Sequence, residues 1–258
     1  MSTITVDPTV LRDRVREMYR AVARQPDGEY HFETGRDLAE RLGYPVEWLD
    51  AVPEAALACF AGVGYLHDLA RISHGDAVVD LGCGSGTDAF IAAKLTGPDG
   101  QVVGLDMTDA PLMTARAARD DIGLGHLAFL NGLFEDPPVE PGGADVVISN
   151  GAINLAPDKE RVFRAAARAL RPGGRLAIAD LVAERALTKP RQNVALWAAC
   201  VAGAEPQEAY LRAIEAAGLR VQSVRSNPAY RFLSPRAQAA AAKYGVTSLT
   251  ILATKENR

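Results

Sequence analysis

The chain has 258 residues, a net charge of −4 and no long run of lysine or arginine, which argues against nucleic acid as its main partner. Hydrophobic residues make up 48%, enough for one sizeable α/β domain with an extension, yet no stretch approaches the ~18 apolar residues of a membrane span. The opening MSTITVDPTVLRDR is polar and charged, without a signal-peptide core, so the expected location is the cytoplasm. Cys59, Cys83 and Cys200 are odd in number and far apart, and His31, His67, His74 and His126 show no ligand spacing, so neither a disulfide framework nor a metal site is expected.

Helical spacing of Val10, Leu11, Val15, Met18 and Val22 predicts a helix from Pro8 to Ala23, with Asp7 as N-cap. The segment Arg24–Arg36 carries Tyr30, His31 and Phe32; it reads either as a loop packed on the domain or as a lid over a substrate. Short helices follow at Leu38–Leu42, Pro45–Asp50 and Glu54–Phe60, with another towards Ile72. Residues 1–74 therefore form a helical cap and lid, and 75–258 the main domain with a substrate-side extension at its C-terminal end.

The central stretch is Ala77–Asp106. A buried strand, Ala77–Leu81, enters a loop with Gly82, Gly84 and Gly86. A helix, Thr87–Leu95, a turn at Gly97–Gly100 and a second strand, Val102–Leu105, follow, ending on Asp106. Glycine admits close approach of a ligand, and an acid at the second strand's end can accept hydrogen bonds from both hydroxyls of a ribose. The unit predicts a nucleoside-containing ligand at the carboxyl edge of a parallel sheet. Further βα steps supply a helix at Asp109–Asp121, strands at Leu127–Leu130, Ala144–Ser149 and Arg175–Leu181, and a helix at Pro157–Leu170. Helices at Gln192–Val201, Gln207–Ala217 and Pro235–Tyr244 and strands at Leu219–Val224 and Val246–Ala253 close the chain. The fold expected is α/β: a doubly wound, mostly parallel, seven-stranded sheet.

The glycine spacing, G-x-G-x-G after Val79-Asp80-Leu81, departs from the dinucleotide pattern and resembles motif I of class I S-adenosylmethionine-dependent methyltransferases; NAD is the lesser alternative. The resemblance implies a Rossmann-like methyltransferase fold and S-adenosylmethionine as cofactor. Gly82, Gly84 and Gly86 would lie against it, Asp106 on the ribose and Asp80 near the loop backbone or the ligand's amino group. Gly132 and Leu133 would border the adenine. The run DVVISNGAINLAPDKERVFRAAARALRPGGRLAIAD, with GLDMTD, FAGVG and LWAACVAGA, is similar to the arsenite methyltransferases over roughly residues 55 to 225. That family would place Met107 beside the adenine and Asn150 at the cofactor. Its arsenic-binding cysteines fall on Val63, Gly151 and Cys200, so one of three is kept.

Three readings follow. One is methyl transfer to a small-molecule acceptor, an organic metabolite, in a pocket walled by Tyr30, Trp197, Cys200 and Tyr210, with His31, Tyr19, Tyr30 or Asp180 as a general base. Another is arsenite or methylarsenite methylation with a reduced cysteine set. The third is a cofactor-binding protein without methyl transfer. Oligomeric state is not legible.

Overall fold

The computed structural model describes residues 7–186 and 203–257. Five helices lead in: α1 (Pro8–Arg24), α2 (Arg36–Leu42), α3 (Val46–Leu49), α4 (Glu54–Ala58) and α5 (His67–Ala70). Asp7 caps α1 as expected, its carboxylate accepting from the Thr9 amide at 2.7 Å. The alternating unit follows: β1 (Ala77–Leu81), α6 (Thr87–Thr96), β2 (Gln101–Asp106), α7 (Asp109–Ile122), β3 (Leu127–Asn131) and β4 (Ala144–Asn150). A 3-10 turn at Ile153–Leu155 leads to α8 (Lys159–Ala169) and β5 (Leu170–Ala183). The two-residue β6 (Glu205–Pro206), α9 (Gln207–Ala216), β7 (Leu219–Ser226), α10 (Pro235–Tyr244) and β8 (Thr247–Lys255) complete the chain. The expected helix at Gln192–Val201, with Trp197 and Cys200, lies outside the described residues.

The strands form one sheet in the order β3-β2-β1-β4-β5-β8-β7, with β6 beside β5. All main-path neighbours pair in parallel except at β8, which runs antiparallel to both β5 and β7. The path reverses between β1 and β4, and in such sheets the crevice beyond the carboxyl ends of those strands is the ligand position. Strand β5 starts at Leu170 rather than Arg175: Leu170 pairs with Ala144, the register then shifts, and Arg175 pairs with Val146. Pro172-Gly173-Gly174 is thus a bulge within the strand's span and not only a helix stop.

Helix α6 is apolar nearly all round and buried from Thr87 to Ala93, the pattern of a helix covered on both sides. One side meets the sheet. On the other, Thr87 donates to the Ala56 carbonyl, Tyr44 donates to Asp88, and Lys94 donates to the Glu47 carbonyl. Leu11, Val15, Leu38, Tyr44, Leu49, Leu57 and Phe60 belong to the same buried cluster as Val78 and Val102 of the sheet. The N-terminal helices therefore share the sheet's core. Arg175 ties them further, donating to the Ala70 and Arg71 carbonyls and pairing with Asp76 at 2.7 Å.

Candidate active site

A cleft of about 790 Å³, partly open to solvent, lies at the switch point between β1 and β4. The glycine loop forms its floor, and each glycine has a separate reason to be there. Gly82, φ +78°, has no room for a side chain because a Cβ would collide with Ala152. Gly84, φ +54°, faces open space with nothing within 4 Å. Gly86, φ +93°, turns away from the cleft; a Cβ there would lie 2.6 Å from Phe129 Cζ. Packing against Phe129 thus accounts for glycine at position 86, whereas Gly82 and Gly84 line the cleft.

Asp80 and Asp106 both line the cleft. Asp80 is 2% exposed and its Oδ2 has no hydrogen-bond partner. Burial, then the neighbouring Asp88 and Asp106 carboxylates, push its pKa well above the ordinary value. Asp106 is clasped by the backbone: Oδ2 accepts from the Gly84 amide at 3.0 Å and Oδ1 from the Thr108 amide at 2.8 Å. Burial raises its pKa and these donors offset part of the rise. Both carboxylate oxygens are thereby held in fixed positions at the cleft.

Met107 lines the cleft, and Leu133 lines a small recess beside it with Met107 and Phe134. Gly132 is in neither lining; a Cβ there would lie 2.9 Å from Leu105 Cδ1, which gives a packing reason for glycine at this position. Asn150 lines the cleft, but its amide is committed to the protein. Oδ1 accepts from the Val63 amide at 2.8 Å, and Nδ2 donates to Tyr44 Oη, the Gly64 carbonyl and Asp88 Oδ2. Asn150 fastens the 60–64 loop to the end of β4.

Sequence reasoning missed Asp88 and its partners. Asp88 is 6% exposed and lines the cleft; Tyr44 Oη donates to its Oδ1 at 2.6 Å and His67 Nε2 donates to the same oxygen at 2.8 Å. A carboxylate in the first turn of an otherwise apolar helix was the only local signal.

The proposed bases separate. Tyr19 of α1 lines the cleft, stacked on Phe32. Tyr30 does not: its hydroxyl donates to the Gln25 carbonyl and its ring stacks on Phe32. His31 Nδ1 meets Ser234 Oγ at 2.8 Å and its carbonyl accepts from Leu233, pinning the Arg24–Arg36 segment to the start of α10. Asp180 is 1% exposed and absent from the cleft lining; it accepts from Tyr210 Oη at 2.7 Å and from the Leu181 amide. Tyr210 is fully buried against Phe163, so it does not wall the pocket. Tyr30, His31, Asp180 and Tyr210 thus lie outside the described lining of the cleft: the Arg24–Arg36 segment is held against the start of α10, and β5 and α9 bury Asp180 and Tyr210 against each other.

Fold, switch-point cleft, glycine floor and the two strand-end acids together define a class I, S-adenosylmethionine-dependent methyltransferase architecture. The chain belongs to the methyltransferase domain family: the family model described as "Methyltransferase domain" matches residues 72–218, more than half of the chain. It is 38% identical over 192 residues to an arsenite methyltransferase of Halobacterium salinarum, an alignment covering 68% of this chain and 48% of that protein. It is 41% identical over 138 residues to an arsenite methyltransferase of Aquipseudomonas alcaligenes, covering 50% and 40%. The chain thus spans about half the length of the curated relatives it matches. A solved arsenic(III) S-adenosylmethionine methyltransferase from Chlamydomonas reinhardtii superposes with a TM-score of 0.62 at 29% identity, covering 86% of this chain and 74% of that one. Among the described residues no helix is long and apolar enough to cross a membrane.

Proposed function

We propose that the protein transfers the methyl group of S-adenosylmethionine to a small organic molecule rather than to arsenic. The carrying observation is the meeting of Val63 and Gly151. A Cβ placed on Gly151 would lie 3.3 Å from Val63 Cγ1. In the arsenite methyltransferase pattern both positions carry cysteine. Here the two positions converge beside the cleft, and they offer an isopropyl group and a hydrogen in place of two thiolates. Trivalent arsenic is soft and needs sulfur ligands. The cysteines that line the cleft, Cys59 and Cys83, do not replace them. Burial raises the Cys59 pKa, and burial followed by Asp80 and Asp106 raises that of Cys83 well above the usual range, so both stay neutral thiols.

The cofactor fits the residues present: an orphaned buried carboxylate oxygen on Asp80, open space above Gly84 and the buried hydroxyl of Ser85 border one cleft. Asp106 would hold the ribose, Met107 and Leu133 would flank the adenine, and Asp80 would face the methionyl end. When bound, S-adenosylmethionine supplies an electrophilic methyl group on a sulfonium. The protein's share is then positional, holding an acceptor atom about 3 Å from that methyl and in line with its bond to sulfur. Val15, Tyr19, Phe60, Ala61 and Leu155 line the cleft with mostly apolar surface, which suits an acceptor with an apolar body. Tyr19 is the one proposed base at the cleft and orients or deprotonates a hydroxyl acceptor.

The test is incubation with S-adenosylmethionine, methylarsenite and glutathione, in parallel with a panel of phenols, quinols and amines, following S-adenosylhomocysteine. Turnover with an organic acceptor and none with arsenic is expected. Methylated arsenic would overturn the choice of acceptor.

A further inference from the structure

The described lining of the cleft holds three carboxylates, Asp80, Asp88 and Asp106, and no lysine, arginine or histidine. Asp106 belongs to the ribose end. Asp80 and Asp88 are left as two buried acids in one cleft, close enough that the charge of Asp88 is the foremost neighbour acting on Asp80. Such a pair is unfavourable unless a cation or proton joins it.

The acceptor inventory narrows what that cation is. Tyr44 and His67 fill both acceptor positions of Asp88 Oδ1, and Asn150 takes one on Oδ2. One position on Asp88 Oδ2 remains, together with the orphaned Oδ2 of Asp80. Both ask for a donor. A sulfonium carries charge but no N–H and would leave these oxygens unsatisfied. An ammonium brings three donors.

We propose that Asp88 joins Asp80 to clamp the α-ammonium group of the cofactor's methionyl part, with Tyr44 and His67 as positioning residues that fix the Asp88 carboxylate. This rests on the methyltransferase reading above. His67 is enclosed by Tyr44, Trp48 and Tyr65, with ring centroids 5.9, 6.0 and 6.2 Å away. That enclosure excludes water from the far side of Asp88, and the N-terminal helices thereby complete a cofactor subsite that the sheet alone leaves half-built.

The experiment is calorimetric titration of the wild type, Asp88→Asn and Tyr44→Phe with S-adenosylhomocysteine and with its deaminated analogue. The expected result is that Asp88→Asn weakens S-adenosylhomocysteine by about tenfold, as loss of a charged hydrogen bond does, and leaves the analogue unchanged. Tyr44→Phe should show the same selectivity with a smaller loss. Unchanged analogue binding also reports that each variant is folded; should Asp88→Asn not fold, Tyr44→Phe decides alone. Equal losses for both ligands would overturn the clamp and leave Asp88 a structural residue. Unaltered binding of S-adenosylhomocysteine would overturn it in favour of a cationic acceptor. A wild type that binds neither S-adenosylmethionine nor S-adenosylhomocysteine would overturn the parent reading and the clamp with it.

Discussion

Gly82, Gly84 and Gly86 share a positive φ but meet three surroundings: Ala152, open space and Phe129. Alanine at Gly84 pays only the left-handed backbone cost of about 1–2 kcal/mol. At Gly86 the ring of Phe129 adds roughly 1–3 kcal/mol of overpacking. Gly84→Ala should therefore melt close to wild type while losing cofactor affinity, and Gly86→Ala should lose more stability; the reverse order in thermal melts would contradict the assignment. Asp180 gives a pH prediction. Burial raises its pKa from 3.8 to about 6, with Tyr210 and the Leu181 amide as partial compensation. The folded state thus holds a proton that the unfolded state has released, and stability from this group falls as pH rises from about 4 to above 6, by on the order of 3 kcal/mol. Asp180→Asn cannot titrate, so its stability relative to wild type should climb over that window; a pH-independent difference would refute the account. The loop glycines and Asp106 were legible because their spacing along the chain carries the chemistry. Asp88 was not, because Tyr44, His67 and Asn150 reach it from 44, 21 and 62 residues away, and only folding brings them together.

At the scale of elements, α1 is the piece whose period was readable and whose position was not. Its apolar spacing predicts the helix; nothing in the spacing places Val15 and Tyr19 over the cleft. The helix is held there by Arg12, which pairs with Glu135 at 2.9 Å, the Glu135 side chain being 3% exposed. Arg16 adds a contact to the Met107 carbonyl at 3.4 Å. Removing Arg12 leaves Glu135 buried without its cation, a cost of roughly 1–3 kcal/mol at a site part-open to water. Arg12→Ala should lower the melting temperature and speed proteolysis within α1. Arg12→Met with Glu135→Gln should recover most of the stability. Equal loss in both would show that the pair does not fasten the helix. The boundary of β5 was misread for a related reason. Pro172-Gly173-Gly174 is a strong stop signal locally, and the pairing of Leu170 with Ala144 that starts the strand early is a tertiary contact.

Across the whole molecule, the order β3-β2-β1-β4-β5-β8-β7 places every acid of the cleft at the carboxyl edge, where β1, β2 and the start of α6 converge. That alternation was legible from the strand and helix periods. The assembled charge has a consequence of its own. Asp80 keeps its proton well above the ordinary carboxylate range, and a cationic ligand binds best once that proton has left. Affinity for S-adenosylmethionine should rise with pH through the Asp80 titration, with proton release detected as a dependence of binding heat on buffer. Asp80→Asn should abolish that dependence. The most direct test of the central claim, a cofactor cleft built for a cationic nucleoside, is calorimetric titration of the purified protein with S-adenosylmethionine and, separately, with NAD. The account predicts one S-adenosylmethionine bound per chain and no heat from NAD. Saturable binding of NAD, or none of S-adenosylmethionine, would contradict it.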